Sequence, residues 1–311
     1  MTGSHDHTHS GHSHDHDHSH DHGDAERWKH DGVRVIPGDQ LDPNVPSTAG
    51  MDRKAAINFA RVGAQKLWAG TVTIKPVAKT GAHHHGHLES IIYVVRGKAR
   101  MRWGEQLQFT AEAGPGDFIF VPPYVPHQEI NASTDEPLEC VLVRSDGEAI
   151  AINLDIEPVE KPETVLWVDP IHRDPNVPST PGMDRKAAIN FARVGAQKLW
   201  AGTVTIKPDA KTGAHHHGHL ESIIFVVKGK ARMRWGEQLQ FTAEANPGDF
   251  IFIPPYVPHQ EINASPDQVL ECVLVRSDGQ AVAINLDIEP VEKPETVLWV
   301  DPIHRDPNEK K

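Results

Sequence analysis

A mainly β chain built as two tandem domains is what this sequence predicts, on three observations. Residues 42–173 realign without a gap onto 174–305 at an offset of 132, and 121 of the 132 positions are identical. Each copy is long enough to be a domain with its own core, well beyond the roughly 20 to 50 residues of a solenoid repeat. Within each copy, short runs rich in Val, Ile and aromatic residues are divided by Gly and Pro signals, the pattern of strands joined by turns.

The elements follow in chain order. Residues 1–24, "MTGSHDHTHSGHSHDHDHSHDHGD", hold nine histidines among Asp, Ser and Gly, with no apolar face. That composition predicts a disordered segment binding Zn²⁺, Ni²⁺ or Cu²⁺ loosely, as a native metal-binding tail or as a purification tag. The first domain is expected over 25–165 and the second over 166–311. "DGVRVIPGDQL" and, 132 residues on, "TVLWVDPIHR" occupy equivalent places, so each domain is expected to begin on a short lead-in strand. In "MDRKAAINFARVGAQ" helix formers compete with the alternation of "AINFARV", which leaves helix and strand both open. The runs "LWAGTVTI", "SIIYVVRGKARMRWG", "DFIFVPP", "LECVLVRS" and "IAINLDI" then read as strands.

Composition limits the partners. A formal charge of −12 and no basic run longer than the terminal "KK" argue against duplex DNA and anionic membranes. Nothing approaches the roughly 18 consecutive apolar residues of a membrane span, and the N-terminus lacks the apolar core of a secretory signal. A cytoplasmic protein acting on a small molecule is expected. Cys140 and Cys272 fall in the equivalent run "LECVLVRS" and read as small buried hydrophobes. Two cysteines make no disulfide framework.

The chemistry gathers at "GAHHHGHLES", residues 81–90, repeated at 213–222. Residues two apart on a strand share a face, so His83 and His85 can converge on one point while His84 turns away. Glu89 can reach that point from the next strand, and His127, after the proline-stiffened "PPYVP", from another. Three imidazoles and one carboxylate suit Fe, Mn, Ni, Zn or Cu, and not the oxygen shell of Ca²⁺ or Mg²⁺. The second copy repeats the set as His215, His217, Glu221 and His259. His84 and His87 are secondary candidates, with surface or supporting roles.

The spacing G…HxHxxxE…G followed by GxxxxxPxxxxHxxxN resembles the two signature motifs of the cupin superfamily. The resemblance covers each 132-residue unit, so the chain resembles a bicupin, with likeness to metal-binding, germin-like cupins. Gly116, Pro122, His127 and Asn131 match the second motif in register, with Tyr124 where the family usually has glycine. In the first motif Gly97 follows Glu89 by one residue more than usual, which puts Ser90 at the family's carboxylate position. Either a bulge lets Glu89 reach the metal, or the site is three-histidine with its carboxylate elsewhere. The resemblance implies two jelly-roll β-barrels, each holding one divalent transition metal.

It also implies an enzyme on a small organic molecule. A dioxygenase is the leading expectation, with a non-redox lyase, isomerase or decarboxylase, or a non-catalytic binding protein, as alternatives. Tyr124, Glu129 and Arg144, with Tyr256, Glu261 and Arg276 in the second copy, are the candidates for handling substrate; Gln65 and Trp68 are weaker ones. Arg100 and Arg102 share one strand face, either solvated or turned to the lumen. The two copies are expected to pair within the chain as a pseudo-symmetric dimer, with higher oligomers open.

Overall fold

The computed structural model describes residues 22–147, 150–165, 174–175, 177, 182–279 and 282–303. The histidine-rich stretch 1–21 and most of the connector between the units, including 166–173, lie outside the described residues.

The first unit runs α1 His22–Asp31, β1 Arg34–Ile36, β2 Met51–Ile57, α2 Phe59–Val62, β3 Trp68–Ile74, β4 His83–His84, β5 Ser90–Arg96, β6 Ala99–Trp103, β7 Phe109–Ala113, β8 Phe118–Val121, β9 His127–Asn131, β10 Leu138–Arg144, β11 Ile152–Asn153 and β12 Glu163–Thr164. The second repeats it as β13 Met183–Ile189, α3 Phe191–Val194, β14 Trp200–Ile206, β15 His215–His216, β16 Ser222–Lys228, β17 Ala231–Trp235, β18 Phe241–Ala245, β19 Phe250–Ile253, β20 His259–Asn263, β21 Leu270–Arg276, β22 Ile284–Asn285 and β23 Glu295–Thr296. Each unit packs two sheets face to face, ordered β2-β3-β10-β5-β8 and β11-β4-β9-β6-β7-β12 in the first. The ambiguous "MDRKAAINFARV" divides between the two readings. Its first seven residues form β2 and "FARV" forms the one-turn α2, capped by the Asn58 side chain accepting from Arg61 N and closed by Gly63 at φ 69°.

The alternation of these strands puts an apolar layer between the sheets, with Ala55, Trp68, Val72, Ile92, Met101 and Leu142 among its buried members. Cys140 and Cys272 are free and buried, and burial pushes the Cys140 thiol up to about 12. Among the described residues, no helix is long and apolar enough to cross a membrane.

The lead-in strand exists, but it serves the other unit. β1 pairs antiparallel with β19, Val35 opposite Ile251, and becomes the sixth strand of the second unit's sheet. An exposed sheet edge invites pairing, and here the chain's own beginning covers it. α1 follows, with Trp235 Nε1 donating to Trp28 O at 2.7 Å and Trp28 Nε1 donating to Glu237 at 2.8 Å. Residues 28–36, within the span expected for the first domain, thus make these contacts with the second unit. The end of the chain reaches back in the same way. Arg61, whose side chain is fully buried, donates to Ala55 O, Ala56 O and Gln40 O, pairs with Asp301 at 2.8 Å and lies over the Trp299 ring.

Two outcomes follow. Asp301→Ala leaves a buried guanidinium without its counter-charge and should cost about 3 to 5 kcal/mol, read as a lower urea midpoint. Val77 holds φ 57°, a left-handed conformation hostile to a β-branched side chain, where the second unit has Asp209 at φ 58°. Val77→Asp should raise the melting temperature of the full chain, by an amount worth about 1 kcal/mol.

Candidate metal centre

The site is built from two strands. β4 lies antiparallel to β9, with His83 directly opposite His127. His85 follows His83 by two residues, and Glu129 follows His127 by two, so two i, i+2 pairs point from neighbouring strands into the space between the sheets. His83, His85, His127 and Glu129 bring one donor atom each to within 4.8 Å of one another; His215, His217, His259 and Glu261 repeat the group.

Backbone carbonyls fix the ring orientations. His83 Nδ1 bonds Gly81 O at 3.0 Å, His85 Nδ1 bonds Ile150 O at 2.8 Å, and His127 Nδ1 bonds Val125 O at 2.8 Å. With the proton on Nδ1, each Nε2 keeps its lone pair and faces the others. His83 Nε2 and His127 Nε2 stand 3.6 and 3.7 Å from the Glu129 oxygens. Glu129 is held in turn by Thr80, whose hydroxyl donates to Oε2 at 2.8 Å.

The site's electrostatics favour neutral imidazoles around one carboxylate. Burial pushes His83 down, and burial with the Arg144 charge takes His85 to about 2. Burial opposes ionisation of Glu129, yet the surrounding imidazoles of His127, His83 and His85 hold it well below the usual carboxylate range; Glu261 falls to about 2. Burial takes His259 to about 3, whereas at His127 Glu129 outweighs burial and the value rises. The histidine–carboxylate distances, 3.7 and 3.8 Å, are the same geometry. The opposite directions show how closely burial and the neighbouring carboxylate balance at this position.

The donor set fits a divalent transition ion. Ligands about 2.1 Å from one ion lie about 3 Å apart at right angles and about 4.2 Å apart when opposite, so the observed cluster needs only slight contraction. His127 Nε2 and His259 Nε2 are buried without a hydrogen-bond partner, as a lone pair reserved for an ion would be. Ser90 Oγ, opposite Arg144 at the position the family motif gives to its carboxylate, is likewise buried and unpartnered.

Glu89 and Glu221 do not join these clusters, which corrects their expected place as ligands. Both are buried, but Glu89 accepts from the backbone N–H groups of Gln197, Lys198 and Leu199 in the second unit, and Glu221 from those of Gln65 and Lys66 in the first. The extra residue before Gly97 is absorbed farther along β5, where the register against β10 shifts between Arg96 and Val94. The carboxylate of each cluster is instead Glu129 or Glu261, expected above only as a substrate-handling residue. Tyr124 and Tyr256, expected there too, stand outside the lumen, 64% and 59% exposed. Both hold φ 61°, which accounts for glycine being usual there, and the Tyr124 ring lies 6.1 Å from His84. Arg100 pairs with Glu112 on the exposed face and Arg102 with the carbonyls of Leu107 and Val159, so neither serves the lumen.

Arg144 and Arg276 lie beside the clusters. Each is buried, with Nη2 3.3 Å from Nε2 of His85 or His217. Burial, then the Arg53 charge, pulls Arg144 down to about 9. Arg144 Nε and Nη1 have no partner. Arg53 and its equivalent Arg185 are the residues the sequence reading missed; Arg185 lines a cavity of about 20 Å³ with Glu261, Met183, Met233 and Cys272. Their signal was alternation, since Met51, Arg53 and Ala55 share one face of β2. A cavity of about 920 Å³ runs between the units past Lys54, Glu139, Glu244 and Trp299, and none of the eight clustered donors lines it.

A preparation lacking residues 1–24, metal-loaded and dialysed, should hold two equivalents per chain by elemental analysis. Glu129→Gln should weaken the first site about a hundredfold or more, leaving one equivalent. Glu89→Gln should keep both, and the reverse pattern would restore Glu89 as the ligand.

The cupin domain family model matches residues 70–144 and 202–276, one match in each unit. No curated protein matches the chain. Among solved structures, oxalate decarboxylase from Bacillus subtilis at pH 4.6 is similar at a TM-score of 0.62 and 18% identity, over 81% of this chain and 78% of that one. A structure of the same enzyme described for its Mn(II) centres matches at 0.62 and 17%, over 81% and 79%. Another, concerned with its substrate binding mode and a switch of reaction specificity, matches at 0.62 and 18%, over 81% and 79%. At these identities the likeness is one of fold.

Proposed function

This chain belongs to the cupin superfamily as a bicupin of two tandem domains, and from that premise we propose that it is a metal-dependent enzyme of the non-redox lyase type, decarboxylating a small carboxylate. This reading takes the place of the dioxygenase expected first. The observation that carries it is the buried guanidinium of Arg144 beside the His₃Glu set, with Nε and Nη1 unpartnered. A cation placed there recognises an anion small enough to lie between it and the donors. The decarboxylase activity of the oxalate enzyme on the same fold points the same way.

The bound ion would act as a Lewis acid, polarising a substrate oxygen. The chain's own residues do the rest. Arg144 binds a carboxylate oxygen through one of its unpartnered donors, Nε or Nη1, and holds the carbon–carbon bond in register. Glu129, fixed by Thr80, keeps one negative charge on the donor side, so the substrate's charge settles on the arginine side. Lumen walls such as Ile92, Met101 and Leu142 exclude bulk water and strengthen each of these interactions. Loss of CO₂ leaves the bonding pair on the remaining carbon, which takes a proton from water, so no O₂ enters the balance. A cytoplasmic setting belongs to the same proposal, as two free buried thiols suit a reducing compartment.

The test uses ¹³C-labelled oxalate and other small carboxylates with Mn²⁺-loaded protein. Labelled CO₂ should appear without net O₂ uptake. Arg144→Gln should keep its metal and lose about a hundredfold or more in kcat/KM, the worth of about 2.7 kcal/mol of charge-assisted hydrogen bonding. One O₂ consumed per product would return the dioxygenase reading to first place.

A further inference from the structure

Glu89 and Glu221 each stand four residues beyond a clustered histidine, yet their carboxylates act in the opposite unit. Glu221 accepts from Gln65 N at 2.7 Å and Lys66 N at 3.0 Å, while Lys66 Nζ donates back to His219 O at 2.7 Å. Glu89 mirrors this with Gln197 N at 2.7 Å, Lys198 N and Leu199 N at 3.0 Å, and Lys198 Nζ to His87 O at 2.8 Å. Successive N–H groups converging on one carboxylate require a single loop conformation, since each must point the same way.

That loop continues directly into Trp68, the first residue of β3. Trp68 is the strand partner of Arg144, and the guanidinium lies 5.8 Å from its ring centroid; Trp200 and Arg276 repeat this at 5.9 Å. Arg144 reaches His85, and Arg276 reaches His217. A path of chain and contact therefore runs from His217 along the turn to Glu221, across to the 65–67 backbone, and on through Trp68 and Arg144 to His85. A second returns from His85 through Glu89, the 197–199 backbone, Trp200 and Arg276 to His217.

We infer that Glu89 and Glu221 are positioning residues, each setting the arginine of the opposite unit, so that each site is shaped by the loop of the other. The inference rests on the metal and carboxylate reading above. It gives the tandem arrangement a role beyond carrying two copies, because neither arginine is set by its own unit alone. Closely packed elements with defined hydrogen-bond partners transmit such placement as coupling of about 5- to 150-fold in affinity.

The test reads the first site alone. His259→Ala removes a donor from the second site; the full chain so altered is loaded with Co²⁺ and titrated with acetate, following the visible bands. If no Co²⁺ spectrum appears, the metal reading fails before any glutamate is changed, and this inference falls with it. With the spectrum present, Glu221→Gln, a change in the other unit, should require about tenfold more acetate for the same band shift. Asp301→Ala, a buried contact away from the path, should lower stability and leave the titration unchanged. Lys66→Ala, which removes only the strut to His219 O, should shift it in the same direction by less, and it serves if Glu221→Gln does not fold. An unchanged titration in Glu221→Gln or, should that variant not fold, in Lys66→Ala, or equal shifts in the path variant and Asp301→Ala, would make the glutamates mere fasteners and overturn the inference.

Discussion

A carboxylate sealed with three imidazoles between two apolar sheets is the constraint on which the rest of this structure depends. Burying such a charge unaided costs several kcal/mol, so its surroundings cannot be left loose. Thr80 holds the carboxylate of Glu129, three backbone carbonyls hold the rings, and Arg144 supplies nearby positive charge. Those anchors hold only if β4 and β9 pair in the observed register, because a slip by one residue would turn both i, i+2 pairs out of the lumen. The apolar sheets outside provide the folding free energy that lets this polar centre persist.

The units are interlocked rather than strung together. β1 completes a sheet in the second unit, Asp301 and Trp299 return to Arg61 in the first, and the two glutamates cross in both directions. Each of these contacts satisfies a group that would otherwise be a liability: a sheet edge, a buried guanidinium, a run of backbone N–H donors. A single unit cut from the chain would lose all of them together.

Much of this was legible in the sequence, for a physical reason. Period-2 alternation is local, so the strands, the HxH pair and the distal His127 could be read from spacing alone. What failed was long-range. Glu89 has the spacing of a ligand, but three N–H groups more than 100 residues away compete for it, and no local pattern shows them. Glu129 carries its signal two residues after His127, on the same strand face, where spacing alone does not separate a ligand from a substrate-handling residue. β1 was visible as a strand, while its partner in β19 was not, because pairing across 200 residues leaves no trace in composition. Arg53 was hidden by a segment that reads equally as helix and strand.

The central claim is that Glu129 and Glu261, and not Glu89 and Glu221, complete the two metal centres. Anomalous diffraction from crystals of Mn²⁺-loaded full-length protein, collected on both sides of the Mn edge, tests it most directly. The account predicts two peaks per chain, apart from any bound by the histidine-rich N-terminus, one among His83, His85, His127 and Glu129 and the other among His215, His217, His259 and Glu261. A peak bonded to the carboxylate of Glu89 or Glu221, with Glu129 or Glu261 turned away, would contradict it.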